Sequence, residues 1–426
     1  MLPAIYRRYR EAYSGLPREV WWMALALFIN RCGTMVMPFL TLYLRQERGM
    51  SESSAGMMLS AFGLGAIVGA YSGGRLVPLV GAVRVQISAL LLVSPCFLLI
   101  PFAESWLEIA AAMFALGVTG EAVFPANNSA IALLTTRENR VRAYALQRLA
   151  ANLGFSFGPA IGGVLAEIDF HLLFGVDAAT TAIGGLLLLY FFGFKRLANT
   201  NETAEEKPKV TASPLKDRTF VAFLLLIFVA ALPFFQFWST YPLFLKDNYG
   251  FSKPMIGAMF AFNTTIIVLT EMILVDAAKK WSQLRTIGWG CFLACFGFGI
   301  LPYGASIGFA VLSMFIITVG EMLSHPLASG FVADRSPEGG EGPYMGWFSM
   351  VFSVCFVIGP ASGATLYEQD PRLVWACSLV IAFVVLLGFL VLARVAKPEV
   401  ATDGADFTDG EALIGGGLAS TGASRN

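Results

Sequence analysis

The stretch Gly120-Glu121-Ala122-Val123-Phe124-Pro125 has a counterpart half a chain later, Gly320-Glu321-Met322-Leu323-Ser324-His325-Pro326. The correspondence continues downstream at Tyr144 and Tyr344, and at Gly158-Pro159 and Gly359-Pro360. These pairs share an offset of roughly 200 residues, and a constant offset of this kind indicates an internal duplication. Each stretch also places a carboxylate in apolar surroundings, which makes Glu121 and Glu321 candidate functional residues.

Hydrophobic residues make up 56% of the 426 residues and charged residues 14%. One soluble core of this size has no room for so much apolar surface, so the composition indicates a membrane protein. A membrane-spanning helix needs about 20 mostly apolar residues. The sequence predicts an all-α, polytopic protein with such helices over residues 20–44, 54–74, 82–102, 106–134, 142–166, 171–194, 219–245, 254–277, 285–305, 308–332, 345–367 and 373–395.

Basic residues are distributed unevenly among the connections between these twelve predicted spans. The connections on one side carry only Arg45, Arg48, Lys246, Lys253 and Arg372, and most other arginines and lysines belong to the opposite side. Cytoplasmic connections are enriched in Lys and Arg. The pattern therefore predicts a multi-pass protein of the plasma (inner) membrane with both termini in the cytoplasm.

The duplication and a polar stretch near the middle divide the chain into four predicted parts. They are a six-helix bundle over residues 1–197, a cytoplasmic linker over 198–218, a second six-helix bundle over 219–397 and a disordered cytoplasmic tail over 398–426. The linker prediction depends on charged residues and prolines before Asp217, and the tail prediction on its glycine and serine content.

The fifth predicted span contains Gly154-Phe155-Ser156-Phe157-Gly158-Pro159-Ala160-Ile161-Gly162-Gly163. With two six-helix halves, the chain resembles the major facilitator superfamily of transporters, and this stretch is similar to the GxxxGPxxGG motif of its drug/proton antiporters. The resemblance implies two pseudo-symmetric bundles. It also implies a gating role for Gly154, Gly158, Pro159, Gly162 and Gly163, and for the partial repeat Gly359, Pro360 and Gly363. Close helix packing without a gating role is the alternative.

A second resemblance concerns the segment from Gly74 to Gly81, with Arg84 following, which we predict as the loop between the second and third spans. It is similar to the superfamily motif GxLaDrxGrr, which implies a role for Gly74, Gly81 and Arg84 in gating on the cytoplasmic side. Pro78 stands where that motif has aspartate, so the latch that the aspartate provides is either weaker here or built from other residues.

Arg31 and Glu121 lie at similar predicted depths, about 16 Å and about 20 Å from the cytoplasmic ends of their spans at the helical rise. In the superfamily the first and fourth helices of each half line the central cavity, so the resemblance implies that the two side chains meet there. An unpaired charge at this depth would be costly. The predicted ion pair either contacts substrate or only holds the first half together.

Glu321 has no arginine at the corresponding position of the seventh span, which holds Leu232, and the nearby polar residues are Gln236 and His325. Burial disfavours the charged form of a carboxylate. We therefore predict that Glu321 carries a coupling proton, with His325 one turn away as a relay and Glu121 as a further coupling candidate. The alternative for His325 is a packing histidine.

Several polar and aromatic side chains complete the predicted substrate site, because buried amides need partners and aromatic surfaces suit planar compounds. The predicted substrate-binding residues are Asn30, Arg31, Glu121, Asn127, Asn128, Gln236, Trp238 and Tyr241. The alternatives are helix contacts for the amides and lipid-facing packing for the aromatic residues.

Arg148 of the fifth span and Glu271 of the eighth lie at comparable depth nearer the cytoplasm. Superfamily members close the inner gate by bringing these two helices together. The resemblance thus implies that Arg148 and Glu271 pair in the outward-facing state and separate when the cavity opens inward. Neutralising contacts within each half are the alternative.

The sequence contains no GxxxxGK[ST] loop, metal-ligand spacing or nucleophile triad, and only two histidines. It predicts neither an enzyme nor a bound cofactor or metal, and no nucleic-acid partner. We expect a monomeric secondary transporter in the lipid bilayer that exports a small amphiphilic compound in exchange for protons. The alternatives are proton-coupled import of a polar metabolite such as a sugar or peptide, and a non-transporting receptor or lipid-handling protein.

Overall fold

The computed structural model describes residues 15–193, 213–278, 280–337 and 341–396, and these residues form helices and turns without a β-strand. Twelve helical segments of this part of the chain are long and apolar enough to span a membrane. The all-α, twelve-span prediction is confirmed. Most of the predicted linker and the whole predicted tail lie outside the described residues.

The first six spans, called here the first half, consist of helices joined by short turns. In order they are Arg18–Cys32 with Val36–Gln46, Glu52–Val80, Ala82–Leu99, Trp106–Glu121 with Val123–Leu134, Arg137–Ile168, and His171–Phe192. The last six spans form the second half. They are Arg218–Phe234 with Thr240–Tyr249, Lys253–Ala278, Gln283–Ile300, Ile307–Arg335, Glu341–Gln369, and Leu373–Val395. Short 3-10 turns cover Ile100–Phe102, Pro214–Lys216, Phe235–Trp238 and Leu301–Tyr303.

Three spans that the sequence predicts as continuous are interrupted near the middle of the bundle. The first is interrupted between Cys32 and Val36, the fourth at Ala122, and the seventh by the 3-10 turn Phe235–Trp238. The hydrophobic runs continue across all three interruptions, so hydropathy gives no sign of them.

The second span is longer than predicted and includes most of the segment expected to be a loop. Its helix continues to Val80, with Pro78 inside it, and stops at Gly81, whose φ is +103°. Only glycine adopts this backbone conformation without strain, which explains the position of the helix end. Gly74 therefore lies on a helix, and the loop expected there is reduced to a tight turn.

The two halves share a hydrophobic core at one end of the bundle, called here the joined end. At the other end, called here the split end, each half has its own core. At the joined end, Phe39 and Leu42 of the first half belong to one buried cluster with Tyr241 and Phe244 of the second. At the split end, one cluster around Val20 and Ile131 belongs to the first half, and another around Phe220 and Ile287 belongs to the second. The space between the halves thus lies towards the split end.

Two pairs of helices connect the halves across this space. The fifth span packs against the eighth, and the second packs against the eleventh. The backbones come very close: a Cβ added to Gly257 would lie 2.1 Å from the Pro159 carbonyl oxygen, and one added to Gly56 would lie 2.7 Å from that of Pro360. The two contacts involve corresponding residues of the repeat. The two helix pairs therefore form matching interfaces between the halves, called here seams.

Candidate functional site

A cavity of about 630 Å³ lies between the halves and is lined by both of them. Six of the predicted substrate-binding residues line it, namely Asn30, Arg31, Glu121, Asn127, Asn128 and Trp238. Arg148 and Glu321 line it as well. Cavities of several hundred Å³ are the size that accommodates small organic ligands.

Gln236 and Tyr241 do not line the cavity in this conformation, in contrast to the prediction. The Gln236 amide donates to the Gly359 carbonyl oxygen at 2.8 Å, and its own oxygen accepts from Ser239 Oγ at 2.9 Å. Tyr241 is fully buried and stacks on Phe237. The 3-10 turn after Phe234 rotates this part of the span, which a straight helix drawn from sequence does not reproduce.

The wall formed by the first half carries most of the polar side chains of the cavity, together with aromatic rings such as Phe62, Phe124 and Phe155. The Asn30 amide donates to Thr181 Oγ1 at 3.1 Å, and the Gln86 amide donates to Asn127 Oδ1 at 3.1 Å. Arg31 and Glu121 both line this wall. Within the described residues, however, no nitrogen of Arg31 lies within 4.0 Å of a carboxylate oxygen, so the predicted ion pair is not closed in this conformation.

The wall formed by the second half combines aromatic rings with one carboxylate. Phe234, Phe237, Trp238 and Phe356 line the cavity here. Glu321 Oε2 accepts a hydrogen bond from the Asn263 amide at 3.2 Å, and its Oε1 lies 4.0 Å from His325 Nδ1. His325 itself packs edge-on against Phe234 and Phe352 behind the lining. Glu321 thus reaches the cavity beside neutral or titratable partners.

Arg148 of the first half forms an ion pair with Glu271 of the second. The Arg148 side chain is 53% exposed and that of Glu271 13%. The pair coexists with tight contacts between the halves at the joined end, where Thr41 Oγ1 donates to the Ser239 carbonyl oxygen at 2.9 Å. The predicted Arg148–Glu271 pair is therefore formed while the joined end is closed, and its assignment to the outward-facing state stays a prediction.

Charged side chains connect the two halves to each other at the joined end. Glu167, at the end of the fifth span, accepts a hydrogen bond from the Lys253 amide at 3.3 Å, and Glu368, at the end of the eleventh, accepts one from the Ser53 amide at 3.1 Å. Arg45 pairs with Asp247 across the same interface. Each glutamate faces the amino-terminal end of a helix in the other half, where helix dipoles favour negative charge.

The glycines of the GxxxGPxxGG-like stretch lie against two different partners. Gly154 and Gly158 contact the first span at its interruption, where an added Cβ would lie 2.6 Å from the Phe28 carbonyl oxygen and 3.0 Å from that of Arg31. Gly162 contacts Met35 of the same span, whereas Gly163 faces the Lys253 carbonyl oxygen across the seam. The stretch therefore packs one span against both its own half and the other half.

The partial repeat in the second half has the corresponding surroundings. An added Cβ on Gly359 would lie 3.0 Å from Phe235 Cβ, and one on Gly363 would lie 2.0 Å from Gln236 Oε1, at the interruption of the seventh span. Pro360 faces Gly56 across the second seam. By contrast, Gly74, Gly81 and Arg84 lie outside the cavity lining: Gly81 forms the turn between the second and third spans, and Gly74 and Arg84 lie on the helices before and after it.

Two polar residues of the sixth span, Asp177 and Thr181, line the cavity and were not predicted from the sequence. Asp177 accepts hydrogen bonds from the backbone amides of Met35 and Val36, and Thr181 accepts one from Asn30. The sequence signal for Asp177 was that it is the only carboxylate in the sixth predicted span, residues 171–194. Among the described residues no group of three or more His, Cys, Asp and Glu side chains is arranged to hold a metal ion.

Comparisons with known proteins agree with this architecture. The chain is 24% identical to the Multidrug resistance protein 1 of Bacillus subtilis (strain 168) over 348 residues, covering 81% of this chain and 88% of the relative. It is 25% identical to the Na(+), Li(+), K(+)/H(+) antiporter of Planococcus maritimus over 368 residues, covering 79% and 86%.

Solved structures share the fold at low sequence identity. A POT family transporter in complex with 5-aminolevulinic acid matches with a TM-score of 0.74 at 14% identity, covering 90% of this chain and 96% of that one. A bacterial homologue of the human lysosomal transporter Spinster, in an inward-facing conformation, matches with a TM-score of 0.73 at 11% identity, covering 88% and 96%.

The sequence profile of the Major Facilitator Superfamily matches residues 23–360 and, in a second match, residues 223–419. The twelve spans, the repeated halves and the cavity between them are the features that such a transporter uses for alternating access. The chain therefore belongs to the Major Facilitator Superfamily, and it is a secondary transporter of small molecules rather than an enzyme.

Proposed function

We propose that this transporter exports a small amphiphilic compound in exchange for protons, with Glu321 as the proton carrier. The observation that carries this proposal is the mixed lining of the cavity: most of its amides and charges belong to the first half, and aromatic rings come from both halves. A compound with a polar end and an apolar, planar body matches both walls. Relatives named as a multidrug resistance protein and as a cation/proton antiporter support this direction and coupling.

The proposed proton carrier is supported by the contacts of Glu321. Its carboxylate faces the cavity and is bonded to the neutral Asn263, with His325 as the adjacent titratable group. Glu271, in contrast, is held by the permanently charged Arg148. A group that alternates between protonated and charged forms needs a partner that tolerates both, which Asn263 does. We also propose that the split end, which carries most of the basic residues, faces the cytoplasm and that the monomer is the working unit.

The first prediction concerns Glu321→Gln, which keeps the size of the side chain and removes its titration. We expect pH-driven efflux of a fluorescent amphiphilic amine from proteoliposomes to fall by at least about 100-fold, since a proton-coupling group has no substitute in the cycle. Binding of the same dye, measured as a thermal shift, should remain. Glu121→Gln is the matched variant, and we expect it to weaken dye binding more than proton coupling.

Three results would contradict the proposal. They are unchanged pH-driven efflux in the Glu321→Gln variant, dye movement in the same direction as protons in the wild type, and the absence of any flux. Movement with the protons would instead favour import of a polar metabolite, for which the polar side chains of the first half's wall are the supporting observation.

A further inference from the structure

The first span is interrupted at the level of the cavity, and the interruption presents polar groups to it. The helix Arg18–Cys32 ends there and Val36–Gln46 begins after a short turn, in which the Gly33 and Thr34 amides donate to the Asn30 and Arg31 carbonyl oxygens at 3.2 and 3.1 Å. Asn30, Arg31 and Thr34 all line the cavity. The geometry of this turn therefore determines how the first span faces a substrate.

Three residues on one face of the sixth span hold the turn. Asp177 Oδ1 accepts from the Met35 amide and Asp177 Oδ2 from the Val36 amide, each at 3.0 Å. Thr181 Oγ1 accepts a hydrogen bond from the side-chain amide of Asn30 on the other side of the turn. Between them, Thr180 lies so close to Gly33 that an added Cβ there would be 1.7 Å from Thr180 Oγ1. Spacings of three and four residues place such side chains side by side on a helix.

The group that holds the second part of this span is a buried carboxyl group. Asp177 is 2% exposed, and within the described residues no basic nitrogen lies within 4.0 Å of its carboxylate. Its oxygens accept hydrogen bonds from the Met35 and Val36 amides at the start of the helix Val36–Gln46. The first amides of a helix have no acceptor within that helix, so a side chain of the sixth span supplies one here.

The second half holds its corresponding interruption without a carboxyl group. Gln236 bonds to Gly359, Ser239 and Thr240 with its neutral amide. The residue that corresponds to Asp177, at the offset that relates Gly158 to Gly359, is Ser378. Its hydroxyl donates to the Val374 carbonyl oxygen of its own helix at 2.8 Å. Capping of the interrupted span by a carboxyl group of another span is thus a property of the first half.

We propose that Asp177 is a positioning residue for substrate binding: its carboxylate fixes the interruption of the first span so that Asn30, Arg31 and Thr34 face the cavity. Asp177 supports the geometry of these groups by capping the helix Val36–Gln46, and Thr181 orients Asn30 directly. The substrate-binding part of this inference rests on the function proposed above, whereas the capping part does not. The test therefore measures the two separately.

The test compares Asp177→Asn, which keeps the shape but replaces one acceptor oxygen with a nitrogen that cannot accept, and Asp177→Ser, which copies Ser378, with Asp169→Asn, an exposed carboxylate at the end of the fifth span. Hydrogen exchange of the purified full-length protein is followed by mass spectrometry. We expect exchange in the peptide covering residues 33–46 to rise by about tenfold or more in both Asp177 variants, because at least one hydrogen bond to the start of the helix is lost. Asp169→Asn should leave this peptide unchanged.

The second readout uses the fluorescent amphiphilic amine in proteoliposomes. We expect the half-saturating dye concentration to rise by about tenfold in Asp177→Asn while the maximal rate changes less than about twofold, since positioning affects binding and not the proton step. Unchanged exchange over residues 33–46, or a rise spread evenly over the whole protein, would overturn the capping. Locally raised exchange with an unchanged half-saturating concentration would overturn the positioning role. If the wild type moves no dye, the proposed function fails and the exchange result still decides the capping.

Discussion

Single side chains determine how the two halves meet across the cavity. Arg148 and Glu271 lie on different halves, and counting residues along their helices was sufficient to predict that they lie at comparable depth. Glu271 is mostly buried, so its charge depends on Arg148 for compensation. The pair is the charged contact closest to the cavity that joins the halves in the part of the chain that the structure describes.

The contribution of this ion pair to transport can be tested by reversing the charges of its two members. Arg148→Glu or Glu271→Arg alone brings two like charges together, and we expect each to slow dye efflux by about tenfold, a moderate loss because solvent screens the exposed Arg148. The double reversal should recover most of the wild-type rate. Initial efflux rates from proteoliposomes measure this, with Arg142→Glu, an exposed arginine of the same helix, as the control. A double variant as slow as either single one would argue against the pair.

At the scale of helices, the start of the seventh span shows how the predicted linker ends. Asp217 Oδ1 accepts from the Thr219 and Phe220 amides at 3.0 and 3.1 Å, and Arg335 at the end of the tenth span donates to both carboxylate oxygens. Burial favours the neutral acid, but the Arg335 guanidinium and the two amides outweigh it and hold the pKa of Asp217 below its usual value. Asp217 thus belongs to the folded second half.

A charged cap of this kind makes stability depend on pH. Because the folded-state pKa of Asp217 is lowered, its stabilisation is present above the unfolded pKa of about 3.9 and is lost as the pH falls through the lower folded value. We expect Asp217→Asn to reduce the free energy of unfolding by about 1–2 kcal/mol at pH 7. The difference from the wild type should be smaller at about pH 3 than at pH 7.

Thermal denaturation in detergent at the two pH values measures this difference, with the exposed Glu104→Gln as the control. A difference between Asp217→Asn and the wild type that stays the same at both pH values would rule out the charge as its source.

Hydropathy and repeats predicted the helices well, because a span needs only a long apolar run and a duplication preserves its spacing. The interruptions were not predictable in this way. The one in the first span depends on Asp177 and Gly154, which are more than a hundred residues away in the chain. The 3-10 turn Phe235–Trp238 likewise directs Gln236 and Tyr241 away from the cavity. Depth along a helix can be counted from sequence, but the direction of a side chain depends on such distant contacts.

In the whole molecule, the duplication produces a two-fold pattern of contacts between the halves. Gly257 faces Pro159 in one seam, and Gly56 faces Pro360 in the other. At the joined end of each seam, a glutamate accepts a hydrogen bond from a helix amide of the other half. Glu167 accepts from the Lys253 amide, and Glu368 accepts from the Ser53 amide. Opening of the joined end must break both glutamate contacts, whereas the closely packed glycines can remain in contact as the halves rotate.

This arrangement predicts that Glu167→Gln and Glu368→Gln together favour opening of the joined end. Neutralising two carboxylates at helix amino termini should shift the equilibrium between closed and open joined ends by about threefold to tenfold towards the open one. The distance between spin labels on Gln46→Cys and Asn248→Cys, which lie on opposite halves at this end, measures the shift by electron–electron resonance. The accessible Cys32, Cys96 and Cys377 are replaced by serine beforehand.

Two further variants make the result specific. Glu104→Gln removes an exposed carboxylate at the same end outside the interface, and we expect it to leave the distance distribution unchanged. Each single glutamate variant should produce a smaller shift than the pair, because the two contacts restrain the same motion from two sides of the bundle. A double variant with the wild-type distribution would mean that Arg45 and Asp247, together with the shared hydrophobic core, keep the joined end closed without the glutamates.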